Sequence, residues 1–149
     1  MAAIVDGSAP VLQWIDGTSA ADIDFGRRTV ALSLNGVVSP AYFKATPVND
    51  DALTVPSGSV FTAVGSASWL SGTPVFAGRF TSAGFRIGNA DYAIDFTPVA
   101  AGGTSAGASS IDGTFYGPDA RNVGGNFRIV GGIPNQRIDI LGAFAGAKK

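Results

Sequence analysis

The sequence predicts an all-β protein built from short strands joined by tight turns. Glycine is abundant, with 21 residues, and only 14% of the chain is charged. All 11 acidic residues are Asp, which favours turns and loops over helices. Runs of alternating apolar and polar residues, typical of strands with one buried face, recur along the chain. No segment shows a convincing amphipathic helical pattern.

The clearest hairpin lies in residues 21–34, ADIDFGRRTVALSL. Ile23 and Phe25 alternate with Asp22 and Asp24 before the Gly-Arg-Arg turn, and the returning arm alternates in the same way. A short apolar piece over residues 11–15 is a possible first strand. It lies in an N-terminal extension, residues 1–20, that precedes the predicted barrel domain, residues 21–149.

Further alternating runs extend to the C-terminus, and they predict strands over residues 59–69, 75–85, 92–96, 111–115, 127–129 and 138–144. Residues 35–58 hold three prolines and predict an irregular connection, and residues 100–109 have the composition of a surface loop. About eight or nine strands in meander order fit either a sandwich or an up-and-down barrel. Glycines inside the predicted strands favour the barrel, where curvature is tight; they are Gly65, Gly78, Gly113 and Gly142.

A corner interrupts the strands within FYGPDARNVGGNFRIV, residues 115–130. Pro118 suits the first turn of a helix and Asp119 can satisfy free amides there, so a single helical turn is predicted over residues 118–123. We expect Gly124 and Gly125 to supply the backbone freedom with which the chain re-enters the sheet.

Three C-terminal pieces resemble the signature of the transferrin-binding protein B β-barrel family. The pieces are Gly113, Phe115, Gly117, Pro118 and Ala120; then Val123, Gly124 and Gly125; and finally Gly142, Phe144, Gly146 and Lys148. The hairpin over residues 21–34 supports the resemblance. The resemblance implies a single eight-stranded antiparallel up-and-down barrel, with a short helical turn before the last two strands.

The same resemblance implies a non-enzymatic binding or scaffold module of a Gram-negative bacterium, at the cell surface or secreted. The family includes relatives of factor H-binding protein and secreted haem-capturing proteins, so iron or haem acquisition, host-protein binding and recognition by the outer-membrane export machinery are the expected contexts. Members typically carry a signal and a lipid-bearing Cys. This chain begins MAAIVDGSAP and has no Cys, so outer-membrane association is expected of a full-length product and a cytoplasmic location is the alternative. We expect a monomer with a protein partner.

Composition excludes several other classes of function. The chain has no His and no Cys, which rules out Ser-His-Asp and Cys-His catalysis. We therefore predict no catalytic residue, no metal site and no cofactor. A net charge of −1 argues against nucleic acid, and no apolar run approaches the roughly 20 residues of a spanning helix, so the chain is not expected to span a membrane.

Some residues allow a chemical interpretation beside a structural one. Asp22 and Asp24 form a carboxylate pair, but the solvent face of a hairpin explains them better. A calcium site at Asp50 and Asp51 lacks spaced oxygen ligands. A phenolate ligand to haem is conceivable; the three tyrosines are Tyr42, Tyr92 and Tyr116.

The alternative function is that of a small-ligand carrier, which would resemble lipocalins only in the physical way a barrel interior holds a ligand. It requires an empty interior, whereas six phenylalanines are predicted to point inward and fill it: Phe25, Phe80, Phe96, Phe115, Phe127 and Phe144. A measured internal cavity above roughly 300 Å3, the lower end for ligand pockets, would overturn this prediction of a dry interior. Phe144→Ala is expected to cost about 3–5 kcal/mol.

The candidate partner-binding site lies in the long connection over residues 38–57. Its residues are Tyr42, Phe43, Lys44, Asp50 and Asp51. Prolines and paired aromatics favour an ordered segment that packs over one barrel end. We expect residues 42–51 to lie outside the hydrogen-bonded ladder of the barrel.

Overall fold

The computed structural model describes residues 2–6, 11–40, 43–44, 55–96, 109–133 and 136–147. The strands in this part of the chain are β1 (Ala2–Asp6), β2 (Val11–Asp24), β3 (Thr29–Val38), β4 (Phe43–Lys44), β5 (Val60–Trp69), β6 (Val75–Ile87), β7 (Ala90–Ala93), β8 (Ser109–Tyr116), β9 (Asn122–Ile133) and β10 (Gln136–Ala147). A 3₁₀ turn at Pro118–Ala120 connects β8 to β9. None of the described residues belongs to a helix long and apolar enough to cross a membrane.

Eight strands form a nearly closed antiparallel barrel, which confirms the predicted fold class. Hydrogen-bonded neighbours follow the order β2-β3-β5-β6-β8-β9-β10-β1, and β1 pairs again with β2. The short strands β4 and β7 add to β2 and β6 outside this circuit. Most neighbours in space are therefore neighbours in sequence, as in a meander.

Closure of the barrel depends on β1, a strand that the sequence pattern did not reveal. Ala2 lies opposite Gly142 of β10 on one side and Ile15 of β2 on the other. The last strand, β10, pairs with the first strand, which is β1. The predicted strand over residues 11–15 is only the beginning of β2, which continues to Asp24.

The core consists of the inward-facing side chains of alternating strand positions. Along β3, every second residue is buried. Of the six phenylalanines predicted to point inward, Phe80, Phe115, Phe127 and Phe144 are buried, and Phe96 packs against the core. Phe25 departs from the prediction because β2 ends at Asp24; it lies in the turn, 51% exposed. Its ring still packs on Trp69 and Phe115, with centroids 5.8 and 5.9 Å away.

The glycines inside strands create room for close neighbours. A Cβ at Gly113 would collide with the ring of Phe76, and a Cβ at Gly65 would lie 2.7 Å from the Arg79 carbonyl oxygen. The ladder between β5 and β6 shifts register between Val64 and Gly65, and such a bulge bends a strand locally. These contacts support the interpretation of interior glycines as a feature of a tightly curved wall.

The corner before β9 is a 3₁₀ turn, shorter than the predicted helical turn. Gly117 has φ +83°, and Asp119 and Ala120 also have positive φ values, 57° and 53°. The predicted cap is wrong, since no side chain caps the turn. The roles expected for Gly124 and Gly125 are also corrected. Both lie inside β9 with no positive φ, and a Cβ at Gly125 would collide with the neighbouring strand.

Candidate functional site

The barrel wall has a gap where β1 ends and its two neighbours continue. Beyond the level of Ala2, β2 runs on through Gly17–Ala20 and β10 through Phe144–Ala147. Both stretches pair on their far sides, with β3 and β9. Among the described residues, no strand pairs with either stretch on the side facing the gap. We call this gap between Gly17–Ala20 and Phe144–Ala147 the seam.

A cavity of about 340 Å3 opens at the seam. Its floor consists of buried apolar side chains of the core, which are Ile15, Leu34, Phe61, Phe127 and Phe144. Its rim consists of small or polar residues, which are Gly17, Thr18, Ser19, Asn35, Gly36, Ala143 and Ala145. None of these lining residues carries a titratable side chain. The cavity is therefore suited to hold uncharged groups that combine apolar and polar surface.

The cavity exists because the inward positions beside the seam are small. On β2, the face that begins with buried Ile15 continues with Gly17, Ser19 and Ala21, of which Ser19 is half-buried and the other two are exposed. On β10, Gly146 follows Phe144 on the inward face and is exposed. The pocket is open to solvent, so the filled interior stays a prediction: the phenylalanines pack in the rest of the barrel, and glycine, serine and alanine leave an open pocket on this side.

Sequence reasoning also missed Gln13, which is 2% exposed and shares the inward face of β2 with Ile15. Its Nε2 donates to the carbonyl oxygens of Val55, at 2.7 Å, and Ser39, at 3.1 Å. The Val55 N–H in turn donates to Oε1 of Gln13 at 3.0 Å. The signal in the sequence was a polar residue at an inward position of an apolar run, VLQWI. Gln13 ties both ends of the long connection to the barrel, because Ser39 precedes it and Val55 lies at its return.

The predicted partner-binding loop lies mostly outside the described residues. Tyr42, Asp50 and Asp51 belong to that undescribed part. Phe43 and Lys44 form β4 and pair with Leu12 and Val11. This pairing corrects the expectation that the whole segment lies outside the ladder.

The structure does not assemble the other sequence candidates into a site. Asp22 and Asp24 are exposed on the hairpin, as predicted. Tyr92 and Tyr116 are also exposed, and they lie on different strands near opposite ends of the barrel; Tyr42 is outside the described residues.

One arginine has a defined ionic partner across the β9–β10 ladder. Arg128 donates to both carboxylate oxygens of Asp139, at 3.1 and 2.7 Å. This hydrogen bonding, with the charge of Asp139, raises the pKa of Arg128. Because its pKa is raised, Arg128 stays charged throughout the neutral range, and its titration gives no pH dependence of stability there. We interpret it as an exposed cross-strand contact.

Compared with protein-family models, curated proteins and solved structures, the chain matches none. The chemistry of the seam is therefore inferred from its own geometry. It combines a cavity with an apolar floor, a rim of small or polar residues, and two strand edges with no ladder between them in the described residues.

Proposed function

We propose that this chain is a non-enzymatic β-barrel module that binds a protein partner. The seam carries the proposal, since it joins a concave cavity with an apolar floor, a form typical of ligand sites, to two strand edges that can pair with another chain. The cavity lining, within the described residues, offers no group that exchanges protons near neutral pH. Its chemistry supports recognition rather than acid–base catalysis.

The cellular context of the proposal comes from the C-terminal motif. Gly117 and Pro118, two residues of that motif, lie at the corner where β8 leads into β9. By resemblance to the transferrin-binding protein B β-barrel family, we place the module at the cell surface or among secreted proteins. Host-protein binding, recognition for export and iron or haem acquisition are the processes to which that resemblance links it.

A small-ligand carrier is the second candidate, and the volume of the cavity favours it. The value of about 340 Å3 lies within the range of pockets that hold small molecules, about 300–1,000 Å3. The ligand would be compact and uncharged, because the lining offers hydroxyl and amide groups but no charge. Both candidates use the same opening, so the same variants test them.

The experiment is a pull-down of host serum proteins, paired with absorbance titration of haem and fluorescence titration of an apolar dye. Ser19→Phe places a large side chain at the half-buried rim, and Ser66→Phe is its control at an exposed position of β5 away from the seam. The proposal expects one binding partner that the wild-type chain and Ser66→Phe retain and Ser19→Phe loses. A protein partner supports the binding module, while haem or dye alone supports the carrier. No binding in any of the three assays overturns both and leaves only the scaffold role.

A further inference from the structure

The two edges of the seam have the directions of two strands that could flank an additional strand, and they lie closer together than such a strand requires. Where β1 is present, it lies between β2 and β10 and runs antiparallel to both. Beyond Ala2, the same two strands continue with nothing paired between them among the described residues. Edge strands present rows of unpaired N–H and C=O groups, which template the addition of another strand.

We infer that the seam accepts an extended peptide segment of the protein partner as an additional strand in the direction of β1. The inference rests on the proposed binding function and names its mode. The register of β1 fixes the places of the incoming residues. Counted away from β1, the first place lies between Gly17 and Phe144, the second between Thr18 and Ala145, the third between Ser19 and Gly146, and the fourth between Ala20 and Ala147. A peptide in the direction of β1 therefore runs from the fourth place to the first.

The alternation of the sheet determines which residues the peptide should carry. Phe144 is buried, so the first and third places direct their side chains into the barrel. Gly17, Ser19 and Gly146 leave the space for them, and the cavity lies there. The second and fourth places face solvent beside Thr18 and Ala145. The preferred peptide therefore alternates β-branched apolar residues with Thr, since Val, Ile and Thr all favour strands.

A strand uses the site more completely than a small molecule does. It pairs the backbone groups of both edges and also fills the cavity, whereas a small molecule leaves the edges unpaired. Entry requires some widening. Cα atoms of β2 and β10 lie within 8 Å of each other, whereas an intervening strand needs about 9.6 Å, twice the usual spacing of 4.8 Å. No ladder joins β2 to β10 in the described residues, so widening breaks no strand pairing.

The test uses a fluorescein-labelled peptide, Lys-Thr-Val-Thr-Val-Thr-Lys, titrated with the full chain and followed by fluorescence anisotropy. We expect saturable binding that Ser19→Phe weakens at least tenfold and that Ser66→Phe, at an exposed position of β5 away from the seam, changes less than twofold. Gly146→Leu is the second blocking variant. A Cβ at Gly146 has only an ordinary contact, 3.6 Å from Val123, so this variant retains the fold if Ser19→Phe does not. Absence of saturation at about 1 mM peptide, or equal binding by both blocking variants, overturns the inference.

A second peptide, with proline in place of the central threonine, separates a strand from a side-chain ligand. Proline removes one backbone donor and disturbs the ladder, so binding should fall at least tenfold. Hydrogen exchange should also show new protection of amides in Gly17–Ala20 and Phe144–Ala147 when the first peptide binds. Equal binding of the proline peptide, or no new protection, overturns strand addition. If the wild-type chain still binds a protein or the dye in that case, only strand addition fails and the proposed function is retained.

Discussion

At the level of single residues, Phe144 connects the core to the seam cavity. Its side chain is 7% exposed, and its ring centroid lies 6.4 Å from that of Phe76. We predict that Phe144→Ala lowers the free energy of unfolding by about 3 kcal/mol, the low end of the range for a buried aromatic, because one side of the ring already faces a cavity. Urea unfolding measures the loss, with Phe144→Leu as the milder control. A loss below 1 kcal/mol would mean that Phe144 does not pack in the core.

Gln13 gives a second prediction at this scale. Gln13→Met keeps the length of the side chain but leaves the Val55 N–H and the carbonyl oxygens of Ser39 and Val55 without their present partner. Unpaired buried polar groups cost about 1–3 kcal/mol each, and partial rehydration reduces the sum, so we expect a loss of about 2–4 kcal/mol in urea unfolding. The control is Asn126→Met, an exposed amide on β9, which should change stability by less than about 0.5 kcal/mol. If both substitutions lowered the free energy of unfolding equally, the hydrogen bonds of Gln13 would not stabilise the fold.

At the level of elements, the connection between β3 and β5 can be separated from the seam. Deleting residues 42–51 removes β4 but leaves the eight barrel strands and the contacts of Gln13 with Ser39 and Val55. We expect a folded barrel that loses about 1 kcal/mol, since β4 adds only a two-residue pairing. Seam binding should remain within twofold, because Leu12 and Ser19 are about 23 Å apart along β2 at 3.3 Å per residue. Circular dichroism and peptide anisotropy measure the two outcomes.

The loop deletion also decides between the two proposed docking surfaces. If a captured host protein is lost from the deleted chain but retained by Ser19→Phe, the partner docks on the connection predicted from Tyr42, Phe43, Lys44, Asp50 and Asp51. If the deleted chain unfolds, residues 42–51 belong to the stable part of the molecule, and the connection cannot be treated as a separate docking element.

Elements with regular alternation could be predicted from the sequence, and those fixed by distant neighbours could not. The strands β3, β8 and β10 alternate clearly, and the predicted strands over residues 30–34, 111–115 and 138–144 lie within them. The apolar run of β1, Ala2–Asp6, has too little alternation to predict a strand; it becomes one by pairing with both β2 and β10. The seam was hidden for the same reason, since Gly17, Ser19 and Gly146 create a cavity only when the barrel brings β2 and β10 together.

At the level of the whole molecule, β1 is the strand through which the first and last parts of the chain meet. It pairs with β10 at all five of its positions and with β2 at three of them. Removing it would extend the seam along most of the barrel and expose two long edges. Long unpaired edges promote association between chains, so the closed state of this barrel depends on one short segment.

This dependence predicts that the barrel can be opened and closed again in trans. A chain lacking Met1–Asp6 should show a lower denaturation midpoint or concentration-dependent association, measured by urea unfolding and light scattering. A synthetic peptide carrying residues 1–7 should restore the midpoint, because it supplies the missing strand to both edges; a version with Ile4→Pro, which removes a backbone donor and constrains the strand, is the control. If the truncated chain is as stable and monomeric as the full chain, β1 contributes nothing to closure. The register from which we infer strand addition at the seam would then lose its physical basis.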